Sequence, residues 1–286
     1  MRSWLFVPGD SERKIMKAAD TGADILILDL EDSVAPERKP AARGLVFEAL
    51  KSLERPVAVR INPLLQHDCI LDLQVVMSAA PDIIVLPKSE GGHTVEALSA
   101  RLCVAEAHAG LPEGVTQIMA IATETPAAMF GLGSYSLPNS RLQALSWGME
   151  DLSAAIGAAR TRTPDGVLGE PYALARSLCL FGAHAAKVAP LDTVFTAHSD
   201  EAGLIAECEA AAADGFLGKL AIHPAQVAAI NTSFAPTAEA LSEAAAIVEA
   251  FAQHPEAGVL SVNGEMVDRP HLLRAEALLR RAERFS

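Results

Sequence analysis

The sequence predicts a (β/α)8 TIM barrel followed by a C-terminal helical extension, an α/β fold, and three observations predict it. Short runs dense in Val, Ile and Leu recur eight times, as expected of strands covered on both faces. Amphipathic stretches with helical spacing alternate with them, the pattern of parallel α/β architectures. The first run is not followed by Gly-x-Gly-x-x-Gly, so the fingerprint of an open dinucleotide-binding sheet is absent there.

The eight runs lie at 3–7, 24–30, 57–61, 82–87, 117–122, 142–147, 193–196 and 218–222. Helical stretches between them include 12–19, 41–53, 95–109, 172–186 and 200–213. The tail has a different pattern. Pro236-Thr237 opens a helix that sets Leu241, Ala244, Ile247, Val248 and Phe251 on one face. Residues 254–263 read as a loop, and a last helix over roughly 271–281 aligns Leu272, Ala275, Leu278 and Leu279. The expected division is a barrel over 1–235 and C-terminal helices over 236–286, one functional unit, whose part beyond 253 serves as a lid or an oligomer contact.

A chain of 286 residues, half of them hydrophobic, can bury a large core, which excludes global disorder. Its net charge of −13 argues against nucleic acid as the main partner, because phosphate backbones want a basic surface. It leaves room for a single anionic ligand beside a metal and a few basic groups. Cys69, Cys103, Cys179 and Cys208 form no Cys-x-x-Cys pair, which suits reduced thiols in the cytoplasm. The apolar start ends by Pro8-Gly9-Asp10, too soon for a signal peptide, and no run approaches the roughly 20 apolar residues of a membrane span. The expectation is a cytoplasmic protein with no membrane partner.

Acidic residues follow several of the strand runs: Glu31 and Asp32 after the second, Glu124 after the fifth, and Asp151 after the sixth. Carboxylates at the exits of parallel strands converge in space, and a hard divalent cation is the usual reason to gather them. Helix capping or salt bridging at the strand ends stays equally open on these residues alone, with capping a particular rival for Asp151. Arg60 ends the third run, where a planar guanidinium suits a carboxylate or a developing oxyanion, or one of the barrel's own acids.

Several motifs come in a fixed order. They are Leu5-Phe6-Val7-Pro8-Gly9-Asp10-Ser11-Glu12-Arg13, Leu28-Asp29-Leu30-Glu31-Asp32-Ser33-Val34, Val59-Arg60-Ile61-Asn62 and Leu86-Pro87-Lys88. Glu124-Thr125-Pro126, Gly148-Met149-Glu150-Asp151-Leu152, Gly218 to Gln226 and Met266-Val267-Asp268-Arg269-Pro270 follow. Together they resemble the citrate lyase β-subunit-like branch of the HpcH/HpaI aldolase family, from the first strand to the start of the last helix.

That resemblance implies a Mg2+-dependent barrel, a homotrimer or hexamer, acting on acyl-CoA thioesters of 3-hydroxy acids such as malyl-CoA or citramalyl-CoA. The products are an acetyl- or acyl-thioester and a 2-oxo acid, or the reverse condensation. It implies Glu124 and Asp151 as metal ligands, with Glu31 and Asp32 holding metal-bound water or orienting the ligands. Arg60 meets the enolate or a carboxylate, and Asp268 is the general acid/base, which a neighbouring subunit can supply. Arg13, Lys14 and Lys88 are candidates for CoA phosphates. His223 matches a motif at the end of the last strand, where a structural role at the rim is expected. One departure stands at 195–200, Phe195-Thr196-Ala197-His198-Ser199-Asp200, where related sequences commonly carry an acidic residue. It bears on substrate identity. Three other readings remain: the β-subunit of a citrate lyase complex acting on an acyl-carrier protein, an aldolase for free 4-hydroxy-2-oxo acids, and a non-catalytic binding subunit.

Overall fold

The computed structural model describes residues 1–137 and 139–283, so residues 284–286 of the expected extension lie outside the described residues. Eight parallel strands close into a ring in chain order: β1 (Ser3–Pro8), β2 (Ile25–Asp29), β3 (Val57–Arg60), β4 (Ile83–Leu86), β5 (Gln117–Ile121), β6 (Leu142–Ser146), β7 (Ala189–Asp192) and β8 (Gly218–Ala221). The ring closes where Ser3, Trp4 and Leu5 pair with Lys219, Leu220 and Ala221. Around it run α1 (Glu12–Ala19), α2 (Lys39–Ser52), α3 (His67–Val76), α4 (Gly92–Ala109), α5 (Glu150–Ala155), α6 (Glu170–Ala186), α7 (Glu201–Asp214) and α8 (Gln226–Ser233). Among the described residues no helix is long and apolar enough to cross a membrane.

Strand alternation explains why these runs are apolar throughout. Trp4, Ile25, Ile27, Ala58, Val85 and Met119 fill the barrel interior. Their neighbours in sequence, such as Leu26, Leu28, Val59 and Ile84, point the other way and are equally buried.

The chain divides into two compact units, Met1–Asn231 and Thr232–Ser286. In the second, α9 (Ala238–Gln253), β9 (Val259–Val262), β10 (Glu265–Asp268) and α10 (Arg269–Glu283) gather around Ile247, Phe251, Val267 and Leu272.

Two expectations are corrected. The seventh strand is not 193–196 but Ala189–Asp192, because its outward residues are Pro190 and a buried Asp192, which weaken an apolar signal. Asp192 is tolerated there by Lys219, whose Nζ lies 2.7 Å away, and by the Trp147 indole N–H at 2.7 Å. Residues 254–263 are not all loop: β9 and β10 form an antiparallel hairpin. Its turn is Asn263-Gly264, both at positive φ (52° and 86°), the pair that a tight hairpin turn selects.

At the N-terminal end of the barrel, Arg141 forks onto Glu106 with two bonds of 2.6 Å, and Glu106 also accepts the amides of Gly114 and Thr116. This ties α4 to the starts of β5 and β6. Burial works to raise the Glu106 pKa, but these bonds outweigh it and hold the group at about 2. A depressed carboxylate contributes stability that is complete above its unfolded value of 4.5 and is lost as pH falls through the folded value. Glu106→Gln is therefore expected to lose roughly 3 kcal/mol at pH 7 and much less near pH 2. Urea unfolding of both proteins across that range checks it, and a deficit independent of pH would refute the ionic account.

Candidate active site

The two charged residues at the tops of β2 and β3 follow from alternation. Asp29 continues the inward series Ile25 and Ile27, Arg60 continues Ala58, and the two are register partners. Arg60 Nε and Nη2 donate to the two Asp29 oxygens at 2.7 and 2.6 Å, the bidentate geometry that guanidinium and carboxylate share. Its third nitrogen, Nη1, stands 3.1 Å from Glu31, and its carbon lies 4.7 Å from the centroid of the Phe6 ring. Burial would raise the Asp29 pKa, yet Arg60 outweighs it and holds the carboxyl below the usual range. Burial disfavours the charge on Arg60 as well, but its acidic neighbours, Asp29 first and then Glu31, outweigh it and keep the guanidinium charged.

Asp29 also shapes the chain beyond β2. Its oxygens accept the amides of Glu31 and Ser33 at 3.0 and 3.1 Å, which turns the strand exit and aims Glu31 inward. Glu31 then accepts from Lys88 Nζ at 2.6 Å. Lys88 follows β4 in the left-handed region, φ 50°, and both its ends serve the site. Its backbone amide donates to Glu124 Oε2 at 2.5 Å, and its ammonium lies 3.4 Å from Asp151 and 3.6 Å from Asp32. Glu124 is buried, and burial first, then Glu31 and Asp151, pushes its pKa up to about 8. Gly148, beyond β6, packs on it so closely that a Cβ there would sit 2.6 Å from Glu124 Cγ.

The cluster fits a hard divalent cation. Its donors are all carboxylate oxygens, with neither Cys nor His, which suits Mg2+ rather than zinc. Glu31 Oε2 is buried and makes no hydrogen bond, its charge facing Arg60 Nη1 at 3.1 Å. Among the described residues no three acidic, His or Cys side chains close on one point. Glu124 and Asp151 would thus supply two ligands and leave the other positions open, as Mg2+ sites commonly do. The capping role that competed for Asp151 is not taken: α5 begins at Glu150, its cap is Met149, and Asp151 lies inside the first turn.

A cavity of about 270 Å3 opens onto the cluster, lined by Asp29, Arg60, Glu124 and Asp151 and by Phe6, Ile121, Trp147, Val194 and Leu220. A larger groove of about 630 Å3 lies between α3 and α4, walled by Ile70, Leu73 and Val104, far from these carboxylates in the fold. The convergent charged groups single out the smaller one.

The structure therefore brings Glu31, Asp32, Arg60, Lys88, Glu124 and Asp151 together. The Lys88 ammonium is shared by three carboxylates, Glu31, Asp32 and Asp151. Arg13 and Lys14 stand exposed on α1. Asp268 belongs to the second unit, at the end of β10, where its Oδ1 meets His271 Nδ1 at 2.5 Å. That hydrogen bond lowers its pKa. Asp29 carried no role in the sequence reading, although an Asp in phase with Ile25 and Ile27 was a legible signal.

The family described as HpcH/HpaI aldolase/citrate lyase matches residues 2–224, and a second, described as C–C bond lyase of the TIM-barrel fold, matches 166–286. The L-malyl-CoA/beta-methylmalyl-CoA lyase of Rhodobacter capsulatus is 31% identical, over 99% of this chain and 94% of that protein. The CitE protein of Mycobacterium tuberculosis, solved with magnesium, acetoacetate and coenzyme A, superposes with a TM-score of 0.81 at 32% identity, covering 99% of this chain and 98% of that one. A citrate lyase beta subunit from the same organism, solved with oxaloacetate and magnesium, gives a TM-score of 0.71 at 32% identity, over 82% of this chain and 96% of that one.

Asp29→Ala is expected to leave Arg60 buried against Glu31 alone and to lower stability by about 3 kcal/mol. A thermal melt reads this directly, and an unchanged Tm would show that the pair is not what holds this end of the barrel.

Proposed function

Because the chain belongs to the HpcH/HpaI aldolase/citrate lyase family, we propose that it is a Mg2+-dependent carbon–carbon lyase that cleaves or forms a 3-hydroxyacyl-CoA thioester, malyl-CoA and citramalyl-CoA being the natural cases. The observation that carries this reading is the oxygen-only carboxylate cluster beside a buried guanidinium at the strand exits of the barrel.

In the cleavage direction the bond between the acyl α-carbon and the hydroxyl-bearing carbon breaks. The hydroxyl gives up its proton to a base of the site and becomes the carbonyl of a 2-oxo acid, while the bonding pair passes into the thioester enolate. Mg2+, when bound, supplies positive charge to the oxo acid's carboxylate and carbonyl oxygens. Glu124 and Asp151 would hold it. Glu31 and Asp32 anchor Lys88, and Lys88 holds those carboxylates in place, a supporting role we assign to it instead of CoA binding. Arg60, fixed by Asp29, presents a permanent charge to the developing oxyanion. Asp268 returns a proton to the acyl α-carbon, from the same subunit or a neighbouring one. Arg13 and Lys14, on the exposed face of α1, meet the CoA phosphates. We further read the protein as a cytoplasmic homo-oligomer, a trimer or hexamer. The similarity to a citrate lyase beta subunit supports a second reading, in which the thioester is carried by an acyl-carrier protein within a larger complex.

Purified protein given malyl-CoA or citramalyl-CoA with Mg2+ should release a 2-oxo acid that phenylhydrazine traps, and Asp268→Asn should abolish release. Failure on both CoA esters would favour the carrier-protein reading or a free-acid aldolase, and full activity in the variant would return Asp268 to pairing with His271. Separately, Gly148→Ala should displace Glu124 and weaken Mg2+ binding by roughly tenfold or more. Calorimetric titration of a variant with unaltered circular dichroism reads this, and unchanged affinity would remove Glu124 from the ligand set.

A further inference from the structure

The wall of the catalytic cavity has two unlike halves. Strands β2 to β6 bring the charges: Asp29, Arg60, Glu124 and Asp151. The opposite arc, β7, β8 and β1, offers Val194, Leu220 and Phe6 with one hydroxyl, Thr193, and no charged group, and Ile121 continues the apolar surface from β5. Charged residues do occur on β7 and β8, but alternation turns them out of the barrel. Leu191 and Leu220 face its interior, while Asp192 and Lys219 bond to each other and to groups behind the wall. His198 and His223, whose rings meet edge to face at 5.2 Å beyond β7 and β8, are exposed and do not line the cavity. Arg60 does line it, with two of its three nitrogens committed to Asp29 and the third beside Glu31.

A 2-oxo acid is a flat carbonyl carbon with two substituents. Its carboxylate and carbonyl oxygen face the cation side, so its remaining substituent points across the cavity to the apolar arc. A methyl or ethyl group there removes apolar surface from water, a favourable exchange. A second carboxylate would lose its hydration against Val194, Leu220 and Ile121 with no cation to meet it, inside a cavity already rich in carboxylates. The volume, about 270 Å3, also suits a small acid. We propose that the 2-oxo acid released or consumed by this enzyme carries one carboxylate and a small alkyl substituent, with Val194, Leu220, Ile121 and Phe6 as the residues that select it. This rests on the lyase reading above and narrows it: pyruvate-type acids are accepted, and dicarboxylic ones such as oxaloacetate are disfavoured. The relative solved with oxaloacetate shares only 32% of its residues with this chain, so its ligand does not fix the wall found here.

Trp147 lines the cavity and is one of two tryptophans, which gives a direct signal. Intact protein with Mg2+ would be titrated with pyruvate, glyoxylate and freshly dissolved oxaloacetate in a stopped-flow fluorimeter, with Trp147→Phe as the control for the source of the signal. Relative kcat/KM on citramalyl-, malyl- and citryl-CoA would be measured alongside. Pyruvate is expected to bind roughly tenfold tighter than glyoxylate, the value of one methyl group in an apolar pocket, and oxaloacetate more weakly than either. Val194→Lys, which sets a cation on the apolar arc, should shift the ratio of oxaloacetate to pyruvate affinity upward by roughly tenfold or more. Oxaloacetate equal to or tighter than pyruvate, citryl-CoA cleaved as well as citramalyl-CoA, or a folded Val194→Lys with an unshifted ratio would each overturn the assignment while leaving a lyase in place. Silence toward every 2-oxo acid together with no cleavage of any thioester would overturn the lyase reading and this inference with it.

Discussion

The guanidinium of Arg60 is buried at the top of β3 with its fork closed on Asp29, and the rest of the site follows from that pair in sequence around the ring. Asp29, held in place by Arg60, takes the amides of Glu31 and Ser33 and so bends the chain after β2. Glu31, aimed by that bend, takes the ammonium of Lys88 from β4, and the amide of Lys88 takes Glu124 from β5. Gly148, after β6, closes over Glu124 and leads into Asp151. Four neighbouring strands, β2 to β5, are thus coupled at their exits by charge-assisted hydrogen bonds, which are shorter and stronger than neutral ones, and β6 joins through Gly148 packing and the Lys88–Asp151 ion pair. The geometry of the carboxylates is fixed by this relay more than by any single loop.

Much of the barrel could be read from residues, because a strand covered on both faces needs apolar side chains on both and leaves a continuous run. The reading failed where that requirement was met by other means. β7 carries Pro190 and Asp192, and its buried acid is neutralised by Lys219 from the adjacent strand, a pairing that no local window displays. The apolar Val194 and Phe195 that looked like the strand lie beyond it. The β9–β10 hairpin was announced by Asn263-Gly264, a signal of local turn chemistry that went unused. At the site, the strand-exit acids were visible as types in positions. Which of them touch Lys88, and that Asp29 claims Arg60, depends on strand register, which sequence spacing leaves undetermined.

Charge balance connects the site to the whole chain. Asp29, Glu31, Asp32, Glu124 and Asp151 confront two cations, Arg60 and Lys88, in a protein of net charge −13. Such a cluster attracts a divalent cation and repels a free organic anion until that cation is bound.

Lys88 holds a left-handed backbone at φ 50°, a conformation that costs a residue with a Cβ on the order of 1 kcal/mol and glycine very little. The cheapest occupant of that position for the fold would be glycine. The chain keeps instead a long cationic side chain whose amide and ammonium both face carboxylates. Position 88 is thus a place where folding and chemistry make opposite demands on the same residue. A search for stabilising substitutions would be drawn to it, and the stabler barrel so obtained would have released its grip on Glu31 and Asp151.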